Sequence, residues 1–177
     1  MPETRTVDAP EPWRTPEGAL VVDWWCDLAC PDCADSVEVL DELRDRVGDA
    51  VHVRLRHFPL TNHVWAVAAA QCAEEARAQG RGEEYAVHAL AGLDAIEGPA
   101  DYVELAEHLG LDADAVAEAL FDGRHAAQVR RDHDEGRALG VRGTPTFVVD
   151  GTLVDASAGV AGLLDELAGL VAAAGSR

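Results

Sequence analysis

The run Leu20-Val21-Val22-Asp23-Trp24-Trp25 leads the chain into Cys30-Pro31-Asp32-Cys33, and an amphipathic stretch follows. β-branched and aromatic residues predict a strand over 20–25. Val37, Leu40, Arg44 and Val47 recur at steps of three and four before Gly48, which predicts a helix over 31–47. This order sets Cys30 at the start of a helix that springs from a strand end. Backbone N–H groups without intrahelical partners gather there, and the dipole favours negative charge. Because the thiolate is the reactive form of cysteine, a redox thiol belongs at such a point. Two intervening residues let Cys33 reach back to Cys30 and close a small ring.

The rest of the chain supplies a frame for that unit. Residues 1–18 read as an irregular tail containing Trp13, and 19–61 as a first half holding two strands and the helix. In it Val51, Val53 and Leu55 alternate with His52, Arg54 and Arg56, the pattern of a half-buried strand ended by Pro59. Residues 62–140 show no strand. They read as helices over 63–79, 83–93, 101–109, 112–120 and 125–139, with Asp101 as an N-cap and Asp112 at the start of the fourth. In 141–177 strands return around Asp150-Gly151, a hairpin signal, and Ser157 caps a final apolar helix. The expected fold is α/β, in the order β-α-β, an inserted all-helical subdomain, then β-β-α.

Composition narrows the function. A chain of 177 residues, 48% of them hydrophobic, can bury a core without disulfide staples. No apolar run is long enough to span a bilayer. The first 17 residues carry acids, prolines and two arginines but no apolar signal core, so the expected location is the cytoplasm. The net charge of −19, with all 14 basic residues arginine, argues against nucleic acid as a partner. The plain reading of this acidity is a solvated, self-repelling surface.

Each cysteine has a structural reading beside the chemical one. Cys26, Cys30 and Cys33 spell C-x3-C-x2-C, a spacing similar to the cluster-binding motif of radical-SAM enzymes. Those enzymes resemble (β/α) barrels, which need a longer chain and repeated β-α units. A zinc or Fe–S site using Cys26, Cys30 and Cys33, with Cys72 or His57 as fourth ligand, is the metal alternative. Otherwise Cys26 and Cys72 are small buried hydrophobes, unneeded for thiol exchange. The histidines at 57, 63, 88, 108, 125 and 133 form no helical pair suited to a metal and read as core or surface residues. Trp24 and Trp25 read as strand core.

Val141-Arg142-Gly143-Thr144-Pro145-Thr146 heads the later strand, where proline suits only a first or edge position. Together with Trp25–Cys33, Arg56-His57-Phe58-Pro59-Leu60 and Arg137–Phe147, it resembles the DsbA-like branch of the thioredoxin superfamily. The resemblance runs from about Leu20 to the final helix. It implies a thiol–disulfide oxidoreductase with Cys30 as nucleophile and Cys33 as resolving thiol. Pro145 is then a cis-proline facing the disulfide, and Thr144 offers backbone bonds to substrate. The implied partners are a protein or small-molecule disulfide and, as electron donor, a low-molecular-weight thiol or a reductase. No bound cofactor is implied. Many relatives carry an acid where this chain has Trp24, which leaves Asp27 as the candidate proton acceptor for Cys33. Pro31 and Asp32 tune the pair. Asp32 adds a negative charge near Cys30, opposing a helix-start benefit of about 0.3–1 kcal/mol. That balance predicts action on the reducing or isomerising side. A thioredoxin-like binding module whose cysteines do not turn over is the other alternative.

Overall fold

The computed structural model describes residues 19–155 and 159–175. The tail read over 1–18 and the Ser157 cap lie outside the described residues. Four strands, β1 (Leu20–Cys26), β2 (Val51–His57), β3 (Thr146–Val149) and β4 (Thr152–Asp155), form one sheet in the order β2-β1-β3-β4. β1 and β2 are parallel, Leu20 opposite Val51 and Cys26 opposite His57. A parallel pair needs a crossover, and α1 (Pro31–Val47) supplies it. β3 runs antiparallel to β1, with Trp24 opposite Phe147, and pairs with β4 through Asp150-Gly151. Both turn residues have positive φ, 47° and 77°, as a two-residue hairpin of this hand requires.

Five helices stand between β2 and β3: α2 (Ala66–Ala78), α3 (Gly82–Ala91), α4 (Pro99–His108), α5 (Ala113–Asp122) and α6 (Ala126–Leu139). The last helix, α7 (Gly159–Ala174), packs against α1. Among the described residues no helix is long and apolar enough to cross a membrane.

Strand alternation divides the interior in two. Val22, Trp24 and Cys26 join Val51, Val53 and Leu55 in the large core with α1, α7 and most of the helical block. Trp25 points the other way and forms a smaller cluster with Phe58, Val141 and Val148. On that second face Arg56 stacks over the Trp25 ring at 4.5 Å and donates from Nε to Asp132 of α6 at 2.9 Å. Both tryptophans are therefore strand core, fully buried on opposite faces.

Three local expectations shift. The buried face of α1 is Cys33, Ser36, Val39, Leu40 and Leu43, so the stripe read through Val37, Arg44 and Val47 is rotated. The helix also leans on α3 and α7, and these flanks cover residues that a lone amphipathic helix would expose. The chain enters α2 at Ala66 rather than His63, because two turns occupy the preceding residues, with His63 N–H on Leu60 C=O and Ala66 N–H on His63 C=O. Asp101 is not the N-cap of α4. Gly98 holds that place with Pro99 after it, and the Asp101 carboxylate reaches back to the Gly98 N–H at 2.9 Å.

The seat of α6 on the sheet depends on Gly136. A Cβ there would lie 2.8 Å from Trp25 ring carbons and 3.0 Å from Phe58. Gly136→Ala should therefore lower the unfolding free energy by up to about 2 kcal/mol, overpacking costing about 1–3 kcal/mol against the roughly 1 kcal/mol that alanine gains in a helix. A urea titration followed by tryptophan fluorescence measures this, and an unchanged or raised midpoint would show that Trp25 and Phe58 yield freely.

Candidate active site

β1 ends at Cys26 and the chain turns at once, with Cys30 N–H bonded to Asp27 C=O at 3.0 Å. Asp27 holds this turn. Its Oδ1 accepts the Ala29 N–H at 2.8 Å, a local aspartate turn. Its Oδ2 accepts the Leu60 N–H at 2.8 Å and His63 Nδ1 at 2.7 Å, both from the segment after β2. Tyr102 of α4 reaches the Leu28 C=O at 3.5 Å, and Tyr85 of α3 donates to the Tyr102 C=O at 2.6 Å. The helical block thus braces the turn from one side and the segment after β2 from the other.

Cys30 is the N-cap of α1, in extended conformation, with Pro31 as the first helical residue. Cys33 lies one turn on, and its backbone N–H points at the Cys30 sulfur. Thr144 comes from the far end of the sequence. Its C=O stands 3.8 Å from Cys30 Sγ, and the Thr144–Pro145 peptide bond is cis. The Thr144 hydroxyl is buried without an oxygen or nitrogen partner and faces the two sulfurs. Pro31 and Asp32 sit exposed on the rim. Beside Pro31 opens a cavity of about 320 Å³, between Ala34, Asp35 and Glu38 of α1 and Leu90, Leu93 and Asp94 of the helical block.

The sulfurs are held as thiols. The hydrogen bond with Cys33 and then burial hold the Cys30 thiol above its ordinary value, against the Thr144 hydroxyl and the Cys33 N–H. Burial pushes Cys33 well up, and its side chain is inaccessible to solvent. Asp27 meets Cys33 through its backbone N–H, 3.4 Å from the sulfur, while its carboxylate is committed to the three donors above. The proton acceptor suggested for this carboxylate is thus a structural anchor in this conformation. Trp24, where many relatives have an acid, is fully buried.

Cys26 is buried and in hydrogen-bonding contact with Cys33. Cys72 lies on α2 in contact with the Tyr85 hydroxyl, its thiol pushed up to about 12 by burial. Among the described residues, the set of three ligand-type atoms lying within 4.8 Å of one another is His57, Glu74 and Asp132. These groups already have partners. His57 Nε2 meets Glu74 at 2.8 Å, Arg77 donates to Glu74 at 2.5 Å, and Asp132 accepts from Arg56, Gln128 and the His57 N–H. Two guanidinium groups in that cluster oppose a cation.

His63 and Tyr102 were not legible as site residues. His63 meets Asp27 across 36 positions of sequence, and Tyr102 meets Leu28 across 74, with no local motif at either end.

The sequence matches the thioredoxin family over residues 15–166. It is 38% identical over 138 residues to the Na(+)/H(+) antiporter NhaA 3 of Salinispora tropica, a match that takes in 76% of this chain and 21% of that protein. The chain thus spans about a fifth of the length of the curated relatives it matches. Among solved structures it resembles a thioredoxin-like oxidoreductase from Silicibacter pomeroyi. The TM-score is 0.75 and the identity 25%, covering 92% of this chain and 90% of that one. The DsbA disulfide interchange protein of Klebsiella pneumoniae shares the fold, with TM-score 0.66 and 20% identity, over 89% of this chain and 88% of that one. The chain belongs to the thioredoxin family and has the fold of its DsbA-like branch, with a helical block inserted between the two halves.

Proposed function

We propose that this chain is a thiol–disulfide oxidoreductase in which Cys30 attacks the substrate disulfide and Cys33 resolves the mixed disulfide. The observation that carries this reading is the convergence of Cys30, Cys33 and the Thr144–Pro145 bond, brought from opposite ends of the chain onto one helix start. In the forward direction the Cys30 thiolate attacks one sulfur of the substrate, and the other sulfur leaves as a thiolate. Cys33 then attacks Cys30, the protein disulfide closes, and the second substrate sulfur leaves. A low-molecular-weight thiol or a partner reductase reopens the disulfide, so no bound cofactor takes part. Thr144 presents main-chain groups beside the sulfur, a setting for an extended peptide segment.

The reading extends to direction. Strong oxidants of this kind owe their potential to a stabilised thiolate in the reduced form. Here the N–H groups of the helix start act on Cys30, but its partner Cys33 and burial outweigh them. Asp32 adds a like charge on the rim. A dithiol without a favoured thiolate is a poor oxidant, which suits a reductase or isomerase working in the cytoplasm. Its potential should lie nearer about −270 mV than about −120 mV.

Two measurements test this. Insulin reduction should fall to background in Cys30→Ser, while Cys33→Ser should accumulate mixed disulfides visible by mass spectrometry. Full turnover by Cys30→Ser would end the oxidoreductase reading and leave a binding module. For direction, Asp32→His replaces a repelling charge with a neutral or attracting one. Equilibration against a dithiol redox buffer should show the potential rising by on the order of 10–30 mV, and an unchanged or lower potential would remove Asp32 from the argument.

A further inference from the structure

A cavity of about 320 Å³ begins at Pro31, the residue next to the reacting sulfur, and runs along α1. Its deeper lining is apolar, with Leu90 2% exposed and Ala34 and Leu93 half-buried. Its mouth is acidic. Asp35 and Glu38 stand on the α1 side and Asp94 on the facing helical block, all three exposed. Among the described residues none of these carboxylates pairs with an arginine. The arginines closest to them in sequence are engaged elsewhere, Arg44 with Asp41, Arg46 with Asp165 and Arg81 with Glu84. Like charges gathered around one opening repel one another, so a cation seated among them is favoured.

We propose that this cavity selects the substrate: it takes an arginine side chain of an extended peptide, two or three residues from the cysteine that Cys30 attacks. The inference names a substrate class for the oxidoreductase reading above and rests on that reading.

Shape and chemistry choose this occupant. A helix rises about 1.5 Å per residue, so Ala34 and Glu38 lie roughly 6 Å and 12 Å along α1 from Cys30. An extended peptide advances about 3.3 Å per residue. A side chain two or three residues from the substrate cysteine therefore arrives over the cavity. Arginine lays its methylene stem on Leu90 and Ala34 while the guanidinium stays at the mouth, as long cationic side chains do on apolar surfaces. Its planar fork gives Asp35, Glu38 and Asp94 several donors, where an ammonium group would offer a point charge. A divalent cation would use the carboxylates alone and leave the apolar lining empty. The chemistry of exchange is unchanged: two electrons pass from the Cys30–Cys33 dithiol to the substrate disulfide, and both substrate sulfurs leave as thiols. The arginine binds and does not react.

The test is a ratio of rates. Reduced protein is mixed with either of two peptides whose single cysteine is capped as a disulfide by 2-mercaptoethanol. One peptide carries arginine three residues to each side of the cysteine, and the other carries glutamine there. Acid-quenched samples are followed by mass spectrometry, and dividing the two second-order rates cancels the reactivity of Cys30 itself. The arginine peptide should react about fivefold faster, the scale of a few exposed ion pairs. The triple variant Asp35→Asn, Glu38→Gln, Asp94→Asn should bring the ratio below about twofold. A control with the same change in charge, Glu107→Gln, Asp114→Asn, Glu166→Gln on the exposed surfaces of α4, α5 and α7, should keep the wild-type ratio. A ratio near one in the wild type, or a wild-type ratio in the cavity variant, would overturn the proposal. Equal loss in both triple variants would overturn it too, because net charge alone would then set the preference. Hydroxyethyl disulfide, which has no side chain for the cavity, separates the two readings. If the wild type reacts with it but shows no preference for arginine, only this proposal fails. If the wild type reacts with no disulfide, the oxidoreductase reading fails and this one falls with it.

Discussion

A single buried carboxylate holds the site together. Asp27 is 1% exposed and receives donors from Ala29, Leu60 and His63. A charge so far from water is tolerated only when its lone pairs are met, and charge-assisted bonds are the strong ones. Satisfying this group fixes the turn that delivers Cys30 and fastens it to the segment leaving β2. The same residue presents its N–H to Cys33. Remove the carboxylate, and the Ala29 and Leu60 N–H groups lose their acceptor beside the dithiol. Structure and chemistry meet in this one side chain.

The sheet separates two kinds of environment. On the face of Trp25, polar side chains do much of the joining: Arg56 stacks on the indole, pairs with Asp132 and also meets Glu135 of α6. Asp23 pairs with Arg54 along the same face, at 2.6 Å. On the face of Trp24 the packing is apolar around Val22, Leu40, Leu55 and Phe147, and the sulfurs of Cys26 and Cys33 sit at its edge. The thiols therefore belong to the drier side. On the other face Gly136 lets α6 close over the tryptophan.

This placement decides the thiol chemistry. A helix start contributes about 0.3–1 kcal/mol toward a thiolate at its end, and up to ~2 kcal/mol when partly buried. Burial acts in the opposite direction and shifts fully buried groups by several units. The hydrogen bond with Cys33 and then burial raise the Cys30 thiol above its ordinary value, and burial raises that of Cys33. Every donor that reaches a sulfur then counts for more, because no water competes for the position.

What the sequence determined by itself was local and periodic. The alternation through 51–57, the Asp150-Gly151 turn and the strand–dithiol–helix junction each rest on neighbours along the chain. Cys30 and Cys33 were legible for the same reason, since one helical turn relates them. Tertiary structure decided the rest. The rotated face of α1 depends on α3 and α7, which lie far away in sequence. The short start of α2 depends on the turns that carry His63 to Asp27. The bond from Tyr102 to Leu28 and the contact of Cys26 with Cys33 arise only when strand, turn and helix close on one another. A side chain's periodicity tells which way it faces, but its partner is set by packing across the core. That is why the dithiol could be read from the sequence, while the groups that hold its turn could not.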